Sequence, residues 1–250
     1  MRCLWLCLLW FFAALVWFAA PVWAVECHDL QLQGTGYSVC KIDMRHDDMR
    51  LFLRGADGLL YGEFTTLNTA LEAQGQTLGF AMNAGMYHPD RRPVGYYVEE
   101  GAEYMRLLSG ASVGNFGLLP NGLLCLTDRS IEVVETRRFM ARKQSCRFAT
   151  QSGPMLVIDG ALHPRFLKQS KSRYRRNGVG TRANGVEAIF VMSKSLVTFH
   201  QFASLFKDYL GVPQALYFDG NVSRLFAPKL SRNDPGRKMG PIIAVVRSKP

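Results

Sequence analysis

The chain is poor in histidine and lacks the cysteine spacings that hold metals. Its 250 residues include five histidines and six cysteines. There is no Cys-x-x-Cys pair, and His28, His46, His88, His163 and His200 follow no ligand spacing, so no metal site is expected. A G-x-S-x-G elbow is also missing, and no histidine sits in an obvious partner motif for Ser152; a serine hydrolase acting through that residue is only a third reading. Acidic residues are few, 20 against 30 Lys and Arg, which leaves a net charge of +10. No recognisable nucleic-acid module accompanies that charge, so no nucleic-acid partner is expected. Low-complexity tracts, internal repeats and linker-like stretches are absent too, which argues for one domain.

A long apolar run occurs at the N-terminus. Arg2 precedes an almost wholly apolar stretch from Cys3 to Ala20, and Pro21-Val22-Trp23-Ala24 follows. This reads as a secretory signal peptide over residues 1–24, cleaved after Ala24. The competing reading is an uncleaved anchor, since the stretch approaches the roughly 18 to 20 residues that span a bilayer; Pro21 and the Val-x-Ala pattern favour cleavage. No stable membrane insertion is then expected of residues 25–250, which are enough for one domain with a proper core. The location would be periplasmic or secreted.

Cys27, Cys40, Cys125 and Cys146 stay in the mature chain. In an exported protein they most simply form two disulfides, with three pairings possible. Cys27–Cys40 and Cys125–Cys146 are favoured because each pair brackets one expected hairpin.

Strand composition is found at Phe80–Met82, Val94–Val98, Phe116–Leu119, Leu123–Leu126, Ile131–Glu135, Met155–Ile158, Ala188–Met192, Ala215–Phe218 and Ile242–Val246. Asn121-Gly122 lies between two such runs and signals a hairpin. A helix is expected from Phe199 to Leu210, with a capping box of Thr198 and Gln201 and a stop at Gly211 and Pro213. A second covers Leu67 to Ala73. Strands outnumber helices without regular βαβ alternation, which argues for an α+β fold. The cations are unevenly placed: Arg137, Arg138, Arg142, Lys143 and Arg147 form one cluster, and Arg165, Lys168, Lys171, Arg173, Arg175 and Arg176 another. Both read as solvated loops, or as a general attraction to anionic envelope polymers or phosphorylated substrates.

Glycine-punctuated polar motifs carry the functional signal. They are Met82-Asn83-Ala84-Gly85-Met86-Tyr87, Gln151-Ser152-Gly153-Pro154, Arg176-Asn177-Gly178-Val179-Gly180 and Phe218-Asp219-Gly220-Asn221-Val222-Ser223. Each adjoins an apolar run and sets a polar side chain beside backbone that a ligand can approach. A carboxylate ending a buried strand before glycine makes Asp219 the candidate catalytic residue. Asn83 can donate and accept toward a sugar hydroxyl or phosphate oxygen.

In this order, the motifs resemble the phosphodiester glycosidase family, which includes the mammalian lysosomal uncovering enzyme and many bacterial proteins. The likeness runs from about Leu78 to Val246 and is closest to a bacterial branch. It implies a mixed, largely antiparallel sheet packed by a few helices, and a hydrolase that cleaves the sugar–phosphate linkage of a sugar 1-phosphodiester in an envelope glycan or related anionic glycoconjugate. Asp219 would be catalytic. Arg176 would clamp phosphate, with Arg182 a weaker candidate. Asn83, Gly85, Tyr87, Gly153, Asn177, Gly178, Gly220, Asn221 and Ser223 would shape the binding site, with His88 beside Tyr87 as a possible wall. The scheme needs no metal or other cofactor. One departure stands out: Asn221 and Val222 replace two glycines of the family's Asp-Gly-Gly-Gly-Ser signature. That substitution keeps open an alternative, a non-catalytic envelope protein that binds anionic glycans.

Overall fold

The computed structural model describes residues 25–249, so the expected signal segment lies outside the described residues. In chain order the first half contains β1 (Glu26–Leu32), β2 (Thr35–Asp43), β3 (Asp48–Phe52), α1 (Phe64–Glu72), β4 (Gln76–Asn83), β5 (Tyr97–Glu99), β6 (Ala102–Met105), β7 (Gly122–Leu126), β8 (Ile131–Glu135) and α2 (Thr136–Arg142). The second contains β9 (Phe148–Ser152), β10 (Met155–Ile158), β11 (Ala161–Leu162), β12 (Asn177–Thr181), β13 (Glu187–Ser193), α3 (Phe199–Ser204), β14 (Gln214–Tyr217), β15 (Leu225–Ala227), β16 (Arg232–Asn233) and β17 (Ile242–Ser248).

The α+β class holds, with the strands divided among three sheets. The first runs β1-β2-β13-β12-β14-β10-β11, the second β16-β15-β4-β17-β3 and the third β6-β5-β9-β7-β8. Neighbouring strands pair antiparallel throughout.

The strands' two-residue alternation sends one set of side chains inward and the other outward. Ile42, Phe190, Phe80, Val245, Leu124 and Phe148, from all three sheets, meet in one central core. The outward set of each sheet is covered by one helix. Phe202 of α3 packs on Val39 and Val191 of the first sheet, Phe64 and Leu67 of α1 on Ala81 and Ala244 of the second, and Phe139 of α2 on Leu123 and Val134 of the third. Within β4 the alternation changes phase at a bulge: Phe80 faces Val245 but Leu78 faces Val246, so Gly79 is passed over and Leu78 joins the α1 side.

Helix α3 starts as its sequence demands, with Thr198 accepting from the Gln201 backbone and Gln201 answering in a capping box. It ends earlier than expected as an α-helix, and Leu205–Tyr209 continue as a π-helical turn. Two strand expectations fail. Phe116–Leu119 is irregular, and Asn121-Gly122 closes no hairpin. The Asn121 side chain instead donates to the Phe116 carbonyl (3.1 Å) and accepts from the Thr136 hydroxyl (2.8 Å), fixing the entry to β7. Residues 94–96 likewise lie outside the strand that begins at Tyr97.

Both favoured disulfides are present. Cys27 and Cys40 are directly opposed across the β1–β2 hairpin, and Cys125–Cys146 ties β7 to the chain leaving α2. The second closes a loop of 21 residues, for which chain entropy suggests about 3 kcal/mol of stabilisation. Replacing Cys125 and Cys146 together by serine should lower the urea midpoint accordingly, with the fold retained; an unchanged midpoint would contradict this.

Candidate active site

Strand ends from all three sheets converge at one place. Asn83 ends β4, Asn177 opens β12, Tyr217 ends β14, Ser152 ends β9, and Arg224 immediately precedes β15. Backbone groups that leave the ladders here need other partners, because an unpaired buried polar group is costly.

Asn83 supplies several of them. Fully buried, it donates through Nδ2 to the Asp219 carbonyl (3.1 Å) and accepts at Oδ1 from the Arg224 amide (3.0 Å) and from Asn177 Nδ2. Asn177 is equally buried, and its Oδ1 has no hydrogen-bond partner among the described residues. The Ser152 hydroxyl is buried and donates to the Phe218 carbonyl (3.0 Å), so it fixes the chain directly before Asp219. That placement leaves it no role as a nucleophile.

Asp219 leaves β14 with its Oδ1 accepting from the Asn221 amide (2.9 Å), which caps the short 3-10 turn Gly220–Val222. Burial pushes its carboxyl above the ordinary range, and the Asn221 amide offsets this in part. Gly220 cannot be replaced easily: a Cβ there would lie 2.1 Å from the Tyr217 hydroxyl and 2.8 Å from the Arg175 carbonyl. Asn221 is exposed, Val222 packs with Phe64 and Leu67, and Ser223 donates to the Arg175 carbonyl (3.2 Å).

Tyr87 stands on the other side. Its hydroxyl donates to the Lys238 carbonyl (3.3 Å), and its ring lies against Gly240. Burial and the Asp219 carboxylate push its phenol up to about 12, against the pull of Arg91, Arg224 and Arg237. These three guanidinium groups therefore lie within electrostatic reach of the Tyr87 phenol, as the Asp219 carboxylate does. Arg224 is almost wholly buried and is held by the carbonyls of Asp234 (2.8 Å) and Arg237 (3.0 Å). None of the three forms an ion pair among the described residues. Sequence reasoning missed all three, although Arg224 directly extends the Asp219–Ser223 motif.

Arg176 is placed differently from expectation. It precedes Asn177, so its side chain takes the opposite direction, and it is fully buried over the Phe199 ring, 3.5 Å from the centroid. Nε donates to the Val197 carbonyl (3.0 Å), Nη2 to Ser172 (3.4 Å), and Nη1 is unpartnered. Burial pulls its pKa down. Arg182 lies beyond the far end of β12, with its Nε 3.8 Å from Glu187. His88 sits in the turn before Arg91, its backbone paired with Arg92, and the structure gives it no contact with Asp219.

The glycines of the motifs serve close packing. A Cβ on Gly178 would meet the Leu216 carbonyl at 2.5 Å, one on Gly85 the Gln151 carbonyl at 2.5 Å, and one on Gly153 the Phe116 carbonyl at 2.9 Å. Gln151 itself is saturated by Tyr96, Leu108 and Thr136.

A half-buried carboxyl, two fully buried amides behind it and three guanidinium groups without ion pairs among the described residues thus meet around Tyr87 and the strand ends. The chain belongs to the phosphodiester glycosidase family, whose sequence pattern matches residues 76–246. It is 31% identical over 208 residues to the uncharacterized protein YigE of Escherichia coli strain K12, covering 82% of this chain and 81% of that one. Its fold is similar to the catalytic domain of zebrafish N-acetylglucosamine-1-phosphodiester alpha-N-acetylglucosaminidase, solved in a form auto-inhibited by its pro-peptide. The TM-score is 0.57 at 11% identity, over 88% of this chain and 81% of that one.

Asn83→Ala would strand the Asp219 carbonyl, the Arg224 amide and the Asn177 side chain together. The expected loss is about 3 kcal/mol in urea unfolding, well beyond that of an exposed Asn→Ala control. A loss no greater than the control's would show that Asn83 does not hold the strand ends.

Proposed function

We propose that this chain is an exported hydrolase that cleaves the bond between the anomeric carbon and the phosphate oxygen of a sugar 1-phosphodiester. The observation that carries the reading is the Tyr87 phenol, which feels both the Asp219 carboxylate, itself raised by burial, and the guanidinium groups of Arg91, Arg224 and Arg237, none of them in an ion pair among the described residues. Family membership and the family resemblance of the motifs support it. The apolar leader and two disulfides support export. Among the described residues, no helix is long and apolar enough to cross a membrane.

In this scheme Asp219 accepts a proton from water as the water oxygen bonds to the anomeric carbon. The carbon–oxygen bond to phosphate breaks, and a phosphate monoester leaves as an already stable anion. That leaving group needs little protonation, so one carboxyl suffices where ordinary glycoside hydrolysis uses two. Arg224, with Arg91 and Arg237, takes the phosphate role expected of Arg176, because these groups share the surroundings of Tyr87 with Asp219 while Arg176 is fully buried over Phe199. Asn177, fully buried and donating to Asn83, holds the strand ends beneath the site rather than touching the sugar. Tyr87 walls the sugar, and Gly220, Asn221 and Ser223 shape the loop that carries the carboxyl. The N-acetylglucosamine 1-phosphodiester named for the zebrafish protein is a natural first substrate to try.

Purified residues 25–250, with disulfides intact, should release reducing sugar from at least one member of a panel of sugar 1-phosphodiesters. Asp219→Asn should lower the rate by roughly 10²- to 10⁴-fold. Binding without turnover by the folded protein across the panel would favour the glycan-binding alternative.

The pH dependence has a definite sign. Asp219 must be ionised to accept a proton, so the acidic limb of the rate profile should lie above the range of an ordinary carboxyl. Its folded pKa is raised, so its contribution to stability is complete at low pH and is lost as pH rises through that pKa. Asp219→Asn should therefore melt higher than the parent at pH 7, with the gap closing in acid. A parent that melts higher at pH 7 would overturn the assignment of a buried, raised carboxyl.

A further inference from the structure

The two basic clusters have different fates. Arg138, Arg142 and Arg147 are neutralised by Asp159, Glu132, Glu100 and Asp128. In the second cluster Arg165, Lys168, Lys171, Arg173 and Arg175 form no ion pair among the described residues. No Asp or Glu occurs from Gly160 to Val186 or from Ala188 to Lys207, and Asp208, beside Tyr209 at the edge of this face, is paired with Lys207.

Residues 164–175 run along the start of α3. Phe166 stacks on Phe199 with centroids 4.9 Å apart, Tyr174 bridges to Val197, and Arg173 donates to Gln201 (3.1 Å). Lys168 shares a cavity of about 420 Å³ with His200, Asp208 and Tyr209. Large apolar side chains stand out between these cations: Leu167 is 71% and Leu196 61% exposed, and Tyr174 and Tyr209 are about half exposed. The segment also reaches the candidate site, since the Arg175 carbonyl accepts from Ser223 beside Gly220.

We propose that this face, residues 164–175 with Leu196 and Tyr209, docks on the surface of an anionic lipid bilayer. Unpaired Lys and Arg interleaved with projecting Leu and Tyr is the chemistry of interfacial binding: the cations meet lipid phosphates, and the apolar groups enter the headgroup boundary. A soluble polyanion would use the cations and leave Leu167 and Leu196 in water, which is why the bilayer is favoured. That docking brings membrane-borne sugar phosphodiesters to Asp219 rests on the function proposed above; the docking itself does not.

The test uses the chain from Val25 onward, which contains every described element of the fold and lacks the apolar leader that would bind lipid by itself. Co-sedimentation with phosphatidylglycerol–phosphatidylcholine vesicles should be strong at low salt, weaken as salt rises, and be nearly absent with phosphatidylcholine alone. Lys168→Glu with Lys171→Glu should weaken binding by at least about tenfold, and Leu167→Ser by several-fold, both with unchanged melting temperature and unchanged rate on a soluble phosphodiester. No binding, equal binding to both vesicle types, or binding indifferent to the two lysines would overturn the proposal. So would dextran sulfate binding as tight as vesicle binding together with indifference to Leu167→Ser, which marks a polymer surface. Vesicle binding without turnover would leave the docking standing and count against the hydrolase reading.

Discussion

The site depends on one buried amide. Three sheets, each with its own covering helix, can share a core only if their strand ends meet, and strand ends carry backbone groups that the ladders no longer satisfy. Asn83 meets two of these demands, through the Asp219 carbonyl and the Arg224 amide, and binds the Asn177 side chain as well. Aspartate in its place would lose the donor and add a second buried negative charge beside Asp219. The position of Asp219 is thus set by the same residue that joins the first sheet to the second.

Much of this was legible in the sequence, and the parts that were not have physical causes. Apolar runs that stop at a polar residue before glycine marked Asn83 and Asp219 as strand ends; Asn83 ends β4, whereas Asp219 lies just beyond Tyr217, the last residue of β14. Strands β9 and β12 were invisible because Phe-Ala-Thr-Gln-Ser and Asn-Gly-Val-Gly-Thr are polar or glycine-rich yet fully buried. Their side chains are absorbed by hydrogen bonds and close backbone approach, which periodicity does not report. The choice between Arg176 and Arg224 is a different case. Neighbours in a strand point to opposite faces, so once Asn177 faces the site, Arg176 cannot, and that deduction needed only the strand assignment the sequence withheld. The pairing of the first basic cluster was hidden for another reason: three of its four acids, Glu100, Asp128 and Asp159, lie outside α2 and its adjoining strand β8.

Charge is arranged so that opposite groups at the site do not cancel. An Arg224–Asp219 ion pair would hold the carboxyl low and occupy the guanidinium, leaving neither available. Asp219 is instead pushed up by burial, and Arg224 is tethered by backbone carbonyls, which fix its direction without neutralising it. A space of that polarity suits an anion whose own charge completes it, and a phosphodiester brings one negative charge with several acceptor oxygens. Arg176 underneath is a buried cation with no carboxylate. It rests on Phe199 and on main-chain carbonyls, and burial lowers its pKa, so its contribution is to brace the layer below Tyr217.

The bulkier Asn221-Val222 loop fits the same geometry. Glycine is demanded where φ is positive or where a Cβ would collide, and neither condition applies at Asn221 or Val222, whose φ values lie outside the positive-φ set. Gly220 is the position that a side chain would block, and it is retained. Asn221 directs its side chain to solvent while its amide caps Asp219, and Val222 joins Phe64 and Leu67 beneath α1. Two glycines there would have left the loop with more freedom to lose on folding. The substitution therefore anchors the turn behind Asp219 and leaves the carboxyl and its neighbours where the two sheets hold them.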